Sequence, residues 1–497
     1  MNSSPKSNTA GWSRRQFVTR TTFAAGAVAF GVPALLRAQN LNSKLNIAAI
    51  GAGGKGSSDI DCCAGENIVA LCDVDTVRCG GQIEKRPDAK LYRDFRKMFD
   101  EMGKDIDAVT VSTPDHFHAV AASRAMRLGK HVYVQKPLAQ TIYEARYLRN
   151  LAHETGVVTQ MGNQGSASDG LRRGVECIQA GIIGQVHEVH IWTNRPVWPQ
   201  GMDRPEGSDP VPESLDWETW IGPAPMRPYK ANVYNPFNWR GWQDFGTGAL
   251  GDMACHTTNL PFRGLHLGYP TEIEGAALVV MNQEMYPFGS KIRFEFPARK
   301  VQIPAAHPGF LHRHDTRSFD PVTFTWYDGG FPIAGKPGKH DFNNKPPQEL
   351  LADIVALQGE VPNSACLLVG DRGTIFSPSD YGESFFLKQA DDKKLIHFTK
   401  HPAVAAIPQT IPRNPFGHGG DGPHHQEWIA AIKANRPEQC YSRFEIGAQI
   451  TEIMLLGCVA LRAGKKIEWD GPNMRATNCP EAARFIRREN RPGWELA

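Results

Sequence analysis

The chain has 497 residues, enough to bury a large core and to form two domains. Hydrophobic residues make up 41% and charged residues 22% of the composition, as in ordinary globular proteins. The net charge of +3 depends on residues 1–38, because the rest of the chain carries 50 basic and 52 acidic residues, a balance that gives no reason to expect a nucleic-acid partner. Ten cysteines in a chain of this length do not indicate a disulfide framework, and burial as small apolar side chains is the simpler interpretation.

The N-terminal segment, residues 1–38, has the order of a signal peptide: basic residues, a short apolar stretch and then the small residue Ala38. It contains no acidic residue, and Arg14 and Arg15 before Phe17 resemble a twin-arginine signal. We therefore expect twin-arginine export of a folded protein to the periplasm, where an uncleaved signal would keep it at the membrane. A disordered basic tail before a buried helix is the alternative. Beyond this segment no apolar run of ~18 residues predicts an integral membrane segment in the mature chain.

A nucleotide-binding domain is predicted from residue 44 to residue 165. The stretch LNIAAIG indicates a buried strand that leads into Gly51-Ala52-Gly53-Gly54-Lys55-Gly56. The spacing of Gly51, Gly53 and Gly56 fits the dinucleotide fingerprint, in which glycines allow a tight turn, a close approach to a pyrophosphate and close packing of the next helix. The N–H groups at the start of that helix would face the anion.

Short apolar strands then alternate with helical segments, a pattern that predicts an α/β fold with a parallel, Rossmann-type sheet. The strand NIVALC is followed by Asp73, about twenty residues beyond the loop, where a carboxylate can accept hydrogen bonds from ribose hydroxyls and repel a 2′-phosphate. This position favours NAD as the cofactor and makes NADP less suited. Further strands are predicted in IDAVTVST, KHVYVQ and GVVTQMG, with the ligand at their carboxyl ends.

Three motifs together resemble one family. The glycine-rich loop, the Thr113-Pro114 turn with His116 and His118, and the tripeptide Gln135-Lys136-Pro137 are similar to those of the Gfo/Idh/MocA oxidoreductases, the family of glucose–fructose oxidoreductase and inositol dehydrogenase. The resemblance implies NAD-dependent oxidation of a CH–OH donor and a homo-oligomer. The family tripeptide is usually Glu-Lys-Pro, so here a neutral amide replaces a carboxylate. The positions that match cofactor-binding residues of the family are Gly51, Gly53, Gly54, Lys55, Gly56, Asp73, Thr113, Pro114, His116, His118 and Lys136.

Residues 166–497 are predicted to form a C-terminal, substrate-binding α+β domain with a mainly antiparallel open sheet. Between about 289 and 413, Pro and Gly are frequent and helix signals are few, whereas LRRGVECIQAGIIG and FEIGAQITEIMLLGCVALRAG predict helices. The Pro-rich stretch 196–229 predicts a long ordered loop. Tryptophans in and near this loop either stack on a sugar or attach the loop to the body, and the second interpretation is the simpler one; they are Trp192, Trp198, Trp217 and Trp220.

The stretch FGTGALGDMACHTTN is the most informative part of this second half. Asp252 and His256 stand four residues apart, which on a helix places both side chains on one face. This spacing matches the Asp-x-x-x-His motif of the Gfo/Idh/MocA family. Many relatives carry an aspartate three residues beyond the histidine, where this chain has Asn259.

Oxidation of a carbinol needs a base for the hydroxyl proton and a group that stabilises the reacting oxygen. His256 and Lys136 can each serve as the proton acceptor, and the sequence leaves open which one does; Asp252 would orient the imidazole or contact a substrate hydroxyl. We expect Asn163, Asn194 and Arg240 to bind substrate. No metal site is predicted, because His312-Arg313-His314-Asp315 and His424-His425 have no matching partner cluster.

The leading hypothesis is an exported NAD-dependent oxidoreductase that acts on a sugar, polyol or glycoside and holds its cofactor tightly. A second hypothesis is an NAD-dependent glycoside hydrolase, in which transient oxidation of the sugar permits elimination of the leaving group. A third is a sugar-binding protein that has kept the fold without catalysis. All three imply a small carbohydrate ligand.

Overall fold

A computed structural model describes residues 43–279, 281–304, 314–334 and 340–497. The predicted signal peptide therefore lies outside the described residues, as do His312 and Arg313. Six parallel strands form the N-terminal sheet in the order β3-β2-β1-β4-β5-β6. This confirms the Rossmann-type prediction, to which β3 is an addition. The strands are β1 Asn46–Ile50, β2 Asn67–Cys72, β3 Lys90–Tyr92, β4 Ala108–Val111, β5 His131–Gln135 and β6 Thr159–Gly162.

Five helices cover the two faces of this sheet, which is why its central strands are apolar runs without alternation. The best-defined of them, α5, begins at a capping box in which Thr141 and Glu144 satisfy each other's backbone N–H groups, and it ends at the left-handed Gly156. The five are α1 Lys55–Cys62, α2 Gly80–Lys85, α3 Phe95–Met102, α4 Asp115–Arg127 and α5 Ile142–Thr155.

The C-terminal domain is built on a ten-stranded sheet in the order β16-β15-β14-β13-β7-β12-β9-β8-β17-β18. Only the pair β7 and β12 is parallel among the described strand pairs of this sheet, which confirms the mainly antiparallel prediction. Strands β10 Arg299–Pro304 and β11 His314–Phe319 form a separate ribbon. The strands of the large sheet are β7 Val186–Thr193, β8 Glu272–Ala277, β9 Ser290–Phe296, β12 Val322–Asp328, β13 Ala365–Gly370, β14 Gly373–Ser377, β15 Phe386–Gln389, β16 Ile396–His397, β17 Ile467–Asp470 and β18 Arg475–Ala476.

The described part of this domain has nine α-helices. Two of them, α10 and α11, fall between about 289 and 413, where the sequence has few helix signals. The helices are α6 Asp169–Gln179, α7 Trp217–Ile221, α8 Gly248–Thr257, α9 Asn259–Gly264, α10 Gln348–Gln358, α11 Pro402–Ala405, α12 Asp421–Ala434, α13 Phe444–Ala463 and α14 Ala483–Ile486. Four short 3₁₀ helices span Gln164–Ala167, Asn238–Gly241, Pro437–Gln439 and Pro480–Ala482.

Helix α13 joins the two domains. Its Thr451 Oγ1 accepts a hydrogen bond from the backbone N–H of Leu138 at 3.1 Å, and its Glu452 forms a buried ion pair with Arg146 of α5. Within the described part of the chain it is long and apolar enough to cross a membrane, but 83% of its most apolar window is buried inside the protein. That degree of burial is typical of a core helix. It fixes α8, which packs against it, relative to the N-terminal sheet.

Candidate active site

The glycine-rich loop makes the turn that the fingerprint requires. Gly51 has a φ of +82°, and a Cβ at this position would lie 2.8 Å from the backbone carbonyl group of Ser112. A Cβ on Gly56 would lie 1.8 Å from the carbonyl oxygen of Gly51. No other residue type fits either position without displacing backbone. Because the packing is this close, helix α1 begins directly beneath the loop.

Asp73 holds this loop in place. One carboxylate oxygen accepts hydrogen bonds from the N–H groups of Ala52 and Gly53 at 2.8 and 2.9 Å, and the other accepts from the N–H of Asp75 at 3.0 Å. A carboxylate has about four acceptor positions, so roughly one is left for a ribose hydroxyl. The side chain that was predicted to contact ribose thus also shapes the glycine-rich loop.

A cavity of about 420 Å³ runs from the glycine-rich loop to the C-terminal domain. The glycines and Asp73 form one end, and Lys136, Arg240 and Asp252 form the other. This arrangement fits a dinucleotide, because backbone without side chains faces the pyrophosphate position and a carboxylate stands at the ribose position. The predicted cofactor residues that line the cavity are Gly51, Gly53, Gly54, Lys55, Asp73, Thr113, Pro114 and Lys136.

At the inner end of the cavity, Lys136 and Asp252 meet across the domain boundary. The ammonium of Lys136, directly after strand β5, lies 3.0 Å from a carboxylate oxygen of Asp252 and 2.5 Å from its backbone carbonyl oxygen. The guanidinium of Arg240 lies 3.1 Å from the same carboxylate oxygen. Burial alone would raise the pKa of Asp252, but the two cations outweigh it and hold the pKa at about 2. Asp252 is therefore an anion that orients Lys136 and Arg240.

His256 follows one turn later on helix α8 and is 5% exposed. Burial and the nearby Lys136 ammonium lower its pKa well below the ordinary value, despite the opposing carboxylate of Asp252. The imidazole is neutral at physiological pH, and its Nδ1 has no hydrogen-bond partner within the described residues. The ring of Tyr381 meets it edge to face, with centroids 4.9 Å apart. In the tautomer that carries its hydrogen on Nε2, the unpaired Nδ1 can accept a hydrogen bond.

Two family models match the chain. One, described as the oxidoreductase family's NAD-binding Rossmann fold, covers residues 45–163, and the other, described as its C-terminal alpha/beta domain, covers residues 185–262. Residues 45–163 and 185–262 are thus similar to the two domains of the Gfo/Idh/MocA oxidoreductase family. The N-terminal domain is thereby an NAD-binding domain, as the glycine spacing and Asp73 predicted.

Curated relatives match over shorter stretches. A levoglucosan dehydrogenase of Pseudarthrobacter phenanthrenivorans is 26% identical over 34% of this chain, and a glycosyl hydrolase family 109 protein of Solibacter usitatus is 35% identical over 23% of it. These alignments span 34% and 29% of the relatives' own lengths. The fold extends further: an inositol dehydrogenase homolog of Azotobacter vinelandii, crystallised with NADH and myo-inositol, matches 86% of this chain and 98% of its own at a TM-score of 0.52 and 14% identity.

The structure gives a physical account of the departure from the family tripeptide. The side-chain amide of Gln135 donates a 2.8 Å hydrogen bond to the carboxylate of Asp59, which is fully buried. The same carboxylate accepts from Ser112 at 2.7 Å and pairs with Lys55 at 2.8 Å. A glutamate at position 135 would set two carboxylates against each other at this point. The neutral amide in this chain is matched to Asp59.

We therefore expect Gln135→Glu to lower the free energy of unfolding by about 2 kcal/mol, because buried like charges repel and one must hold a proton. Thermal unfolding at neutral pH measures the loss. Adding Asp59→Asn should restore at least half of it, since the exchanged pair again has one amide and one carboxylate. A Gln135→Glu variant as stable as the parent would contradict this account of the tripeptide.

Asn163 and Asn259, next to the site, form hydrogen bonds with other residues of the protein. Asn163 is fully buried, donates to the carbonyl oxygen of Cys255 at 3.4 Å and accepts from Ser442. Asn259 accepts a 2.7 Å hydrogen bond from Arg263. Asn163 does not line the cavity, so its contacts support the backbone of α8 behind His256. Its predicted contact with substrate has no counterpart in this geometry.

The two histidines predicted to bind cofactor also contact backbone. The ring nitrogens of His116 lie 3.2 and 3.1 Å from the carbonyl oxygens of Phe245 and Trp220, and those of His118 lie 2.8 and 2.9 Å from the carbonyl oxygens of Pro137 and Thr113. Burial lowers the pKa of His116 to about 3 and that of His118 to about 4, so both rings are neutral. Neither lines the cavity. They hold the turns on either side of it.

The sequence did not predict that residues 213–241, which we call the strap, would cross the cofactor cleft. The backbone of Ser214 and Asp216 hydrogen-bonds to Thr76 and Val74, directly after the predicted ribose-binding carboxylate. Further along, aromatic residues of the strap line the cavity; they are Trp220, Phe237 and Trp239. All four tryptophans named from the sequence are buried, and Trp217 stacks on Trp220 with ring centroids 4.7 Å apart. Trp217 and Trp220 pack in one cluster with other aromatic residues of the strap and with Val74, whereas Trp192 belongs to strand β7 and packs within the large sheet. The choice between sugar stacking and attachment of the loop stays a prediction.

Asp115 is a further cavity residue that sequence reasoning passed over, although it stands inside the Thr-Pro-Asp-His motif. It is buried, accepts a 2.7 Å hydrogen bond from Thr247 and faces the same end of the cavity as Asp252. Burial, with the Asp252 carboxylate adding to it, raises the pKa of Asp115 to about 7. No local sequence pattern predicts such a shift.

Among the described residues, no group of His, Cys, Asp or Glu side chains is placed to hold a metal ion, and His424 and His425 have other contacts. The ring of His425 stacks on Tyr133 at 4.0 Å between centroids, and its Nε2 lies 3.5 Å from Asp59. His424 is hydrogen-bonded to the Tyr133 hydroxyl at 2.9 Å. Both therefore pack α12 against the nucleotide-binding sheet.

Proposed function

We propose that this protein is an NAD-dependent oxidoreductase that acts on the CH–OH group of a sugar, polyol or glycoside. The observation that carries the proposal is one continuous cavity with a dinucleotide cradle at one end and the Lys136–Asp252 pair at the other. A carbinol oxygen that approaches this end meets an oriented ammonium and, one helical turn away, a neutral imidazole.

The backbone of the glycine-rich loop and Asp73 would hold the dinucleotide, which supplies a hydride acceptor when bound. Lys136, oriented by Asp252, would donate a hydrogen bond to the reacting oxygen and stabilise the charge that develops on it. We assign the proton acceptor to His256, because its ring is neutral and one of its nitrogens is unpaired, whereas the ammonium of Lys136 is already donating to Asp252.

The strap supports a tightly held cofactor. Its backbone bonds to residues 74–76, directly after Asp73, and its aromatic rings line the cavity, so a bound dinucleotide would lie against the strap. We propose that export through the twin-arginine route delivers the folded protein with NAD already bound to the periplasm. The homo-oligomer expected from the family resemblance remains a prediction.

Retention is tested directly by dialysis of the purified protein, with bound nucleotide measured after denaturation. We expect NAD to remain at a nearly stoichiometric level through exhaustive dialysis, because release requires the strap to open. Ready loss of the nucleotide would contradict the held-cofactor account, while the catalytic assignment would stand.

A second candidate function is a redox-neutral glycoside hydrolase. The match to a glycosyl hydrolase family 109 protein favours it, as does an extracytoplasmic setting in which a cofactor that is regenerated in place need not be replaced. Asp115, buried and with a raised pKa, is the residue available for the additional proton transfer that elimination requires.

Product analysis separates these functions. The NAD-loaded protein is incubated with a panel of polyols and glycosides, and products are analysed with the redox state of the cofactor. A carbonyl product with reduced cofactor supports the dehydrogenase, and hydrolysis with no net reduction supports the glycosidase. If the protein binds a sugar of the panel but catalyses neither reaction, the result supports a non-catalytic sugar-binding protein.

A further inference from the structure

Residues 488–497, which follow helix α14 and which we call the latch, connect the strap to the nucleotide-binding domain. The latch contains no helix or strand, so its path is fixed by the contacts of its side chains. Arg491 contacts the strap, whereas Arg488 and Trp494 contact the nucleotide-binding domain. The latch therefore bridges two parts of the protein that lie on either side of the cofactor cavity.

Arg491 binds the backbone of the strap at the end of helix α7. Its guanidinium donates hydrogen bonds to the carbonyl oxygens of Gly222 at 2.7 Å and Glu218 at 3.1 Å. Its backbone N–H donates to the carbonyl oxygen of Pro223 at 3.1 Å. Carbonyl oxygens at the C-terminal end of a helix attract a cation, so the charge of Arg491 suits this position.

The other side of the latch is attached to helices α3, α4 and α5. The ring of Trp494 is buried and packs edge to face on Phe117 of α4, with centroids 5.2 Å apart. The guanidinium of Arg96 in α3 lies 3.8 Å from the centroid of the same indole ring. Arg488 forms a 2.8 Å ion pair with Glu144 of α5. These contacts attach the latch to the domain that carries the glycine-rich loop.

Both attachments reach the wall of the cofactor cavity. Phe117 lines this cavity, as do Thr219 and Trp220 of helix α7. The strap lies directly against α4, since a Cβ on Gly222 would lie 2.3 Å from the Phe117 ring. From outside the cavity, the latch therefore joins the two surfaces that meet at its wall.

We propose that Arg491 is a positioning residue for the cofactor. It keeps the strap closed against the nucleotide-binding domain and so limits the rate at which NAD enters and leaves the cavity. No latch residue lines the cavity, so Arg491 acts through Gly222 and helix α7 rather than by touching the dinucleotide. The inference rests on the proposed function, in which the strap retains NAD, and it identifies the contact that closes the strap.

The test follows NADH by its fluorescence in the full protein. Release is measured by mixing NADH-loaded protein with excess NAD, and entry by mixing nucleotide-free protein with NADH. Arg491→Ala should release NADH about tenfold faster, because two hydrogen bonds from a charged donor to the strap are lost. Entry should also become about threefold faster, because a closed strap slows passage in both directions.

Arg487→Ala is the matched control, because this exposed guanidinium lies just before the latch and 4.1 Å from the ring centroid of Tyr143 on α5. It should exchange NADH as the parent does. Gly222→Ala opens the same closure from the strap side, since the added methyl group must move away from Phe117. This variant should speed release and entry by similar factors, and it decides the question by the same two rates if Arg491→Ala does not fold. Because both changes act on one closure, the double variant should exchange NADH less than about twofold faster than the faster single variant.

Release and entry rates that stay at the parent values in Arg491→Ala and Gly222→Ala would overturn the proposal. Faster release with unchanged entry would also overturn it, because that result indicates damage to the nucleotide site rather than an open strap. If the parent loses NADH readily and Arg491→Ala exchanges it faster still, the role of Arg491 stands and the held-cofactor part of the proposed function fails. If the parent and the variants all retain NADH equally, only the role of Arg491 fails.

Discussion

Replacing His256 with alanine is expected to lower kcat about 10³-fold, the typical contribution of a positioned general base. The bound cofactor should remain, because His256 does not line the dinucleotide cavity. The acidic limb of the kcat/KM profile should disappear with the side chain. In the parent we expect this limb well below the ordinary pKa of histidine, since burial and Lys136 disfavour the protonated ring.

The measurement is steady-state turnover of a panel substrate, with bound nucleotide quantified in the same preparations. His153→Ala, on the exposed end of helix α5, is the control for loss of an imidazole and should turn over as the parent does. If His256→Ala keeps its turnover and Lys136→Ala does not, the lysine is the proton acceptor and our assignment is wrong.

The second large effect is expected from Gly56→Ala. A methyl group at this position would lie 1.8 Å from the carbonyl oxygen of Gly51, so the loop or the first turn of α1 must move. We propose that both elements hold the pyrophosphate of the dinucleotide. We expect NAD affinity to fall about 100-fold, which corresponds to a displacement that costs about 3 kcal/mol. Titration of nucleotide-free protein with NAD measures the change.

Gly81→Ala is the matched control, because a Cβ there has no atom within 4 Å and the residue lies in helix α2. It should bind NAD as the parent does and be slightly more stable, since alanine limits the unfolded chain. Equal NAD affinity in Gly56→Ala and Gly81→Ala would show that the cofactor is not bound against this loop.

The nucleotide-binding half could be predicted from local patterns because its strands and its glycine-rich turn are each determined by a short stretch of sequence. Apolar strands buried on both faces appear as short runs, and the turn between β1 and α1 demands glycine at fixed positions. Strand β3 was missed because it is three residues long and only partly buried at the edge of the sheet.

The residues that we propose as catalytic could be predicted from the sequence in part. Asp252 and His256 share one face of α8 by helical spacing, and Lys136 follows a strand whose carboxyl end must face the ligand. The sequence does not predict that Lys136 and Asp252 are in contact, because the 3.0 Å ion pair joins positions far apart in the chain. Sequence alone left open whether Asp252 orients the imidazole or contacts a substrate hydroxyl, whereas in the structure the carboxylate binds Lys136 and Arg240.

The other features of the site depend on contacts that no periodic pattern in the sequence predicts. The strap is a Pro-rich segment whose place over the cavity is fixed by backbone bonds to residues 74–76. Tyr381, whose ring contacts His256, lies on a hairpin loop more than a hundred residues further along the chain. The hydrogen-bond partner of Gln135 is Asp59 of helix α1, and no local pattern predicts this pair. Such pairings become visible only in three dimensions.

The proposed function requires that a hydride leaves a carbinol carbon next to Lys136, in the cofactor cavity. The most direct measurement uses the panel substrate that reacts, labelled with deuterium at its carbinol carbon, in a single turnover of NAD-loaded protein stopped by denaturation. Our account predicts one deuterium in the reduced cofactor recovered from the protein, and none in the cofactor of His256→Ala. Product formed with the label still on carbon, or lost to water with the cofactor unlabelled, would contradict it.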